Sequence, residues 1–196
     1  MTPHNIDRDF IDWLVSHWNR ERPDLDHAPL EIWGRMRQAV MYYGLEGGEV
    51  ARSYRLGPGE VGVLFALRRS GSPFALTPTE LLKALWVTSG GISKRIDKLV
   101  ARDLVVREPD LHDGRGVIVR LTASGLQVAD VMFNDFNAVE GELLAGLSAD
   151  ERQTLSTLLH KLLLSLERRA ASRNQLLSER AAANWVAVGS PRAHDR

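Results

Sequence analysis

The stretch TSGGISKRIDKLV, residues 88–100, decides how this chain is read. Ile92, Ile96 and Leu99 recur at spacings of four and three, which makes one apolar face of a helix. Thr88 stands where a capping residue belongs. Gly90 and Gly91 open the segment although glycine is among the poorest helix formers. Away from the apolar face lie Ser89, Gly90, Ser93, Lys94 and Lys98, a set that is small, polar and basic. Such a helix end suits the major groove of DNA: glycines permit close approach, and serine and lysine reach phosphates or base edges. A solvated surface helix would carry the same residues, so the flanking segments have to decide. Arg95 follows Ile92 by three and precedes Leu99 by four, so it flanks the buried stripe and is expected to face the helices that carry this module. A charge in that place needs a partner, either an acidic residue of a neighbouring helix or an anionic ligand.

Upstream, Thr77-Pro78-Thr79-Glu80 combines a cap, a proline at the first helical position and a glutamate three residues after the cap. Leu81, Leu82, Ala84 and Leu85 give that helix its apolar side. Two short helices joined by a tight polar turn make a helix-turn-helix pattern. Downstream, the period changes from helical to alternating. Val105-Val106-Arg107 and Val117 to Leu121 read as two strands around PDLHDGRG, a segment with turn chemistry. A hairpin directly after a recognition-type helix is a wing. At its tip, Asp113 and Arg115 put a guanidinium where it can enter a minor groove, oriented by a nearby carboxylate. Arg115 is the strongest single candidate for a DNA contact.

Helices flank this module on both sides. Ile6, Phe10, Trp13, Leu14, His17 and Trp18 recur at helical spacing and stop at Glu21-Arg22-Pro23-Asp24, where proline disfavours helix in its predecessor. A second helix starts near Pro29, carries Leu30, Ile32, Trp33, Met36, Val40 and Tyr43, and can continue through Gly47-Gly48 towards Tyr54. A third follows Gly57-Pro58-Gly59 with Val61, Leu64, Phe65 and Leu67. After the wing, residues 123–147 read as helix. Ser148 and Glu151 form another capping box, ahead of a stripe at Leu155, Leu158, Leu159, Leu162, Leu163 and Leu166. Apolar helices at both ends of a module that is complete without them point to a helical dimer interface rather than internal core. The expected fold is mainly α with a small β-hairpin wing: a winged helix-turn-helix at 57–122, flanked by dimerisation helices at 1–56 and 123–182, with 183–196 a flexible tail.

Composition limits the function classes. The chain has 196 residues and 21.9 kDa, so one domain with extensions is expected. Cysteine is absent, which removes thiolate catalysis, disulfides and thiolate metal sites. No apolar run approaches the roughly 18 residues of a membrane span, and the N-terminus lacks the regions of a signal peptide, so a cytoplasmic protein is expected. Basic and acidic side chains number 25 each, so a DNA-binding surface must be local. HExxH, nucleophile-elbow and P-loop signatures are absent, and the spacing of His4, His17 and His27 does not make a zinc site. No enzymatic activity, cofactor or metal is expected.

The residues SGGISKRIDKLVARDLVVREPDLHDGRGVIVRLTASG closely resemble the MarR family of winged-helix transcriptional regulators, and the resemblance extends over roughly Leu30 to Arg168. It implies a homodimer that binds a pseudo-palindrome in double-stranded DNA, with a recognition helix and a wing from each subunit. It also implies a small molecule, often an aromatic acid, that binds between the dimerisation helices and the DNA-binding lobe and weakens DNA binding. HWNRERPDLD further resembles the extra first helix and following turn of the PecS-like, urate-responsive subgroup. Matched by motif, that subgroup's ligand site puts its tryptophan at Trp18 and its two arginines at Arg95 and Arg107. Its aspartate falls on Gly62, in EVGVLFALRR. The loss of that acceptor counts against urate itself and points to a small aromatic carboxylate, an indole acetate, a hydroxybenzoate or a urate-like acid. Trp18, Trp33 or Trp13 would stack on it, and Arg95, Arg37 or Arg107 would pair with its carboxylate. His17 is either a hydrogen-bonding ligand residue or a histidine at the edge of the core. A winged-helix module that binds DNA without sensing a small molecule would share the same helix and wing.

Overall fold

A computed structural model describes residues 8–85, 91–110 and 116–172. In chain order these form α1 (Phe10–Glu21), α2 (Ala28–Ser53), α3 (Pro58–Arg69), β1 (Ala75–Leu76), α4 (Pro78–Leu85), α5 (Ile92–Val100), β2 (Val105–Pro109), β3 (Val117–Leu121), α6 (Ala123–Leu143) and α7 (Ala149–Ser172). The described residues divide into two compact units that part between Leu45 and Glu46, within α2.

In the first unit α1 begins at Phe10 rather than at Ile6, which lies outside the described residues. The reason is a capping box that the apolar spacing does not show. Asp9 Oδ1 accepts from the backbone N–H groups of Ile11 and Asp12 at 2.7 and 2.9 Å, and Asp12 Oδ2 accepts from the Asp9 N–H at 2.9 Å. The helix runs past Trp18 to Glu21. Ile11 is buried against Gly34 of α2, where a Cβ would lie 2.9 Å from Ile11 Cδ1. Arg35 locks the same pair of helices by donating to Asp9 Oδ2 at 2.7 Å and to Asp12 Oδ1 at 2.6 Å.

The second unit is built around α3. Val63, Leu64 and Leu67 are fully buried there, and α3 packs against α4, α5, α6 and β3. The expected box at α4 forms: Thr77 N–H donates to Glu80 Oε2 at 2.8 Å, and Glu80 N–H donates to Thr77 Oγ1 at 3.2 Å. The wing strands pair antiparallel, with Arg107 opposite Val119, and they are joined by a strand absent from the sequence reading. That strand, β1, pairs Ala75 with Arg120 and Leu76 with Val119 and gives the order β1-β3-β2. Two residues are too few to reveal an alternating period.

Thr122 caps α6 by accepting from Gly125 N–H at 2.9 Å. Gly125 is required there, because a Cβ would collide with the Leu104 carbonyl oxygen. α6 ends at Leu143, four residues before the expected end, in turns closed by Leu144 N–H to Gly141 and Leu147 N–H to Leu144. The box of Ser148 and Glu151 then starts α7. Leu155, Leu158, Leu159, Leu163 and Leu166 of α7 are exposed within the single chain. Among the described residues no helix is long and apolar enough to cross a membrane.

Candidate nucleic-acid interface

α5 does not begin where the sequence suggests. Its N-cap is Gly91, in the left-handed region at φ +93°, instead of Thr88. A side chain is strained in that conformation, so here a glycine is required by the backbone. The expected contacts Thr88, Ser89 and Gly90, together with Asp113 and Arg115 of the wing tip, lie outside the described residues. The remaining three are placed. Ile92, Ile96 and Leu99 are buried as anticipated, and Ser93, Lys94 and Lys98 stand exposed on the other side of the helix.

Three sets of side-chain contacts tie α5 to its surroundings. Lys98 Nζ donates to Glu60 Oε1 at 2.8 Å, and Glu60 Oε2 also accepts the backbone N–H of Gly57, the N-cap of α3, at 2.8 Å. Arg102, just past the end of α5, donates to the carbonyls of Arg55 at 2.8 Å and Tyr54 at 3.0 Å beyond the end of α2. Arg107 of β2 donates to Asp97 Oδ1 at 2.5 Å and to the Ser93 carbonyl at 3.3 Å. The sheet behind is fixed by Arg120, which donates to Glu108 Oε2 at 2.9 Å and to the Pro73 carbonyl at 3.1 Å.

Glu60 is the one charged side chain counted in the core of the described residues, at 7% exposure. Burial pushes its carboxyl upward, but the Gly57 N–H and the Lys98 ammonium, helped by the charge of Arg102, outweigh burial and hold it below its ordinary value. Tyr54 gives a further tie between α2 and α6. Its hydroxyl donates to Asp135 Oδ2 at 2.6 Å, and that hydrogen bond, with burial and the carboxylate charge, pushes its pKa up to about 12.

The expected ligand residues are placed unit by unit. In the second unit Arg95 is half-buried and faces α3, as its spacing implies: a Cβ on Gly59 would lie 2.5 Å from its Nε. Among the described residues it makes no ion pair, so of its two expected partners the acidic residue of a neighbouring helix is not found; Glu60 of α3 pairs with Lys98. The guanidinium of Arg107 donates to Asp97 and to the Ser93 carbonyl. Gly62 faces Leu85, whose Cδ2 would sit 3.0 Å from an added Cβ, so the position is a packing contact between α3 and α4.

In the first unit Trp13, Trp18 and Trp33 are 47%, 46% and 48% exposed, so none is plain core within the chain. Trp13 lies over His17 with ring centroids 4.2 Å apart, and His17 Nδ1 is 2.8 Å from the Trp13 carbonyl oxygen. Arg37 is exposed.

Residues 56–116, from the end of the α2–α3 turn into the wing, match a model described as the MarR family. The multiple antibiotic resistance protein MarR of Salmonella typhimurium is 35% identical over 102 residues, which are 52% of this chain and 69% of that protein. This chain belongs to the MarR family. Another relative is the HTH-type transcriptional regulator PecS of Dickeya dadantii, 29% identical over 146 residues, covering 74% of this chain and 88% of PecS. A mutant MarR of E. coli complexed with operator DNA superposes with a TM-score of 0.59 at 28% identity, over 74% of this chain and 97% of that one. Bordetella bronchiseptica BpsR, solved in a study of how 6-hydroxynicotinic acid regulates its DNA binding, gives 0.60 at 25% identity, over 70% and 96%. PecS is a transcriptional regulator, and the mainly helical fold with its small antiparallel sheet is that of the MarR structures.

Sequence reasoning missed Glu60, Arg102 and the partner of Arg107, which build this MarR-type module. Glu60 is the third residue after a glycine cap, and a capping-box search keyed to serine or threonine passes over it. Arg102 and the pairing of Arg107 with Asp97 leave no local signal, because their partners are 47 and 10 residues away.

Proposed function

We propose that this chain is a ligand-responsive repressor that binds a pseudo-palindromic operator in double-stranded DNA as a homodimer and is released by a small aromatic carboxylate. The reading rests above all on α5: a short helix with an exposed Ser93-Lys94-Lys98 edge, tied to the rest of its unit through Glu60, Arg102 and Arg107. That edge enters the major groove. Thr88, Ser89 and Gly90 supply the approach to it, and Arg115, oriented by Asp113, enters the adjoining minor groove from the wing. Residues 57–122 act as the DNA-binding lobe, and the helices of 1–56 and 123–182 as dimerisation elements. The exposed leucines of α7 and the exposed aromatics of α1 and α2 support this, because a lone chain gains nothing by leaving them in water.

The effector class is argued from chemistry. Trp18, Trp13 and Trp33 offer exposed indole faces, and Arg95 and Arg37 offer cations with no carboxylate partner among the described residues. Indoles and cations are the groups that an aromatic ring bearing one carboxylate would use. BpsR, whose DNA binding responds to a hydroxylated aromatic acid, supports the same class. A dimeric DNA-binding regulator without an effector is the second reading. It is favoured by the commitment of Arg107 within its own module and by the packing role of Gly62.

DNA binding is tested by fluorescence anisotropy with a labelled duplex from the region upstream of the chain's own gene. Lys94→Ala is expected to weaken binding and, if Lys94 contacts phosphate, to reduce the salt slope by about one; a base-edge contact by Arg115 predicts a loss of about 1–3 kcal/mol for Arg115→Ala. Unchanged affinity in both variants contradicts the assigned surface.

A further inference from the structure

The exposed face of α5 carries a carboxylate among its basic and polar side chains. Ser93, Lys94, Asp97 and Lys98 are all exposed, on the side away from Ile92, Ile96 and Leu99. Asp97 follows Ser93 by four residues and Lys94 by three, so the three are surface neighbours. A bare carboxylate there repels the phosphates that the face is meant to approach. Lys98, the next cation along, is already drawn to Glu60.

Asp97 is not bare. Arg107 sits third in β2, its backbone held opposite Val119 in the sheet, and its guanidinium reaches across to α5. One nitrogen donates to Asp97 Oδ1 at 2.5 Å and the other to the Ser93 carbonyl at 3.3 Å. A single rigid fork therefore grips one full turn of the helix from the strand that begins the wing. The contact does two things at once: it covers the negative charge on the reading face, and it fixes the angle between α5 and the wing strand.

We propose that Arg107 is a positioning residue for DNA binding, which masks Asp97 and locks α5 to the wing so that the reading face meets phosphate without an uncompensated negative charge. This rests on the reading of α5 as the DNA-contacting helix. Lysine could supply the charge, but as a point cation it could not hold both acceptors in the same geometry. If masking is the main contribution, the loss caused by removing Arg107 is undone by removing the charge of Asp97 as well. A merely structural ion pair gives no such rescue.

The test is anisotropy binding of the full chain to a labelled duplex from upstream of its own gene and to a shuffled duplex of equal length, over a range of salt. The proteins are wild type, Asp97→Asn, Arg107→Ala and the double variant, each checked for folding by circular dichroism. Arg107→Ala is expected to bind about tenfold more weakly, with the deficit shrinking as salt screens the exposed carboxylate. Adding Asp97→Asn to it should restore affinity to within about threefold of wild type, and Asp97→Asn alone should bind at least as tightly as wild type. Arg107→Ala binding like wild type, or a double variant as weak as Arg107→Ala, overturns the proposal. So does an Asp97→Asn protein that loses its preference for the upstream duplex, since Asp97 would then read a base. Should Arg107→Ala fail to fold, Asp97→Asn alone decides: weaker binding than wild type overturns the proposal, and equal or tighter binding upholds it. Wild-type protein that binds neither duplex removes the DNA-binding reading itself, a result distinct from failed rescue.

Discussion

Glu60 shows how one side chain can join two functions of a fold. Its two oxygens hold the first turn of α3 through Gly57 and the recognition-type helix through Lys98. Glu60→Gln keeps the volume but weakens both hydrogen bonds, and we expect a loss of about 1–2 kcal/mol of stability, since the ammonium of Lys98 is largely in water and the pair is partly screened. The sign of the pH dependence follows from the depressed carboxyl. Its contribution is fully present above the ordinary value of 4.5 and is lost as pH falls through the lower folded value. Urea denaturation of both proteins from neutral pH downwards checks this: the gap between them should close at acid pH, and a gap independent of pH contradicts the assignment. At this scale the sequence was legible where a residue acts through its own neighbours. The boxes at Thr77 and Ser148 form as read, and Arg95 faces α3 as its spacing requires. It was illegible where partners are distant, as for Arg102 with Arg55, or where several cations lie in reach of one anion, as for Lys98 and Glu60.

Elements were legible in proportion to their periodicity. The order of helices and the hairpin follow from spacing, whereas their ends follow from caps and close contacts. α1 starts at an aspartate box, α5 at a left-handed glycine and α6 at a threonine cap with a glycine behind it. β1 is too short to have a period at all. Gly125 carries the sharpest prediction of this kind. In Gly125→Ala the methyl group meets the backbone carbonyl of Leu104, which cannot step aside as a flexible side chain could, so the start of α6 must move away from the residue that leads into β2. We expect a loss of about 3 kcal/mol or more, read from a denaturant midpoint. A variant within about 0.5 kcal/mol of wild type would mean that α6 does not rest on that strand end.

For the whole molecule, the exposed leucines of α7 carry a prediction about how the chain exists in solution. Leu158 and Leu163 are 60% and 54% exposed, and a monomer would hold a continuous apolar stripe in water. Sedimentation equilibrium should give twice the mass of one chain, and Leu158→Glu with Leu163→Glu should shift it towards one chain while leaving the helical circular dichroism in place. Monomeric wild-type protein would leave the stripe unexplained and remove the basis for two-fold operator recognition. Control by an effector requires more than binding. The aromatic acid must prefer the arrangement that does not fit DNA, and by linkage DNA must weaken its binding by the same factor. The central claim is therefore tested most directly by the anisotropy of the wild-type protein on its own upstream DNA, titrated with urate, indole acetate, salicylate, hydroxybenzoates and 6-hydroxynicotinic acid. The account predicts that at least one aromatic carboxylate releases the DNA and that urate does so poorly or not at all. Tight, sequence-selective binding that none of these acids disturbs would contradict effector control, and no binding to DNA at all would contradict the account at its root.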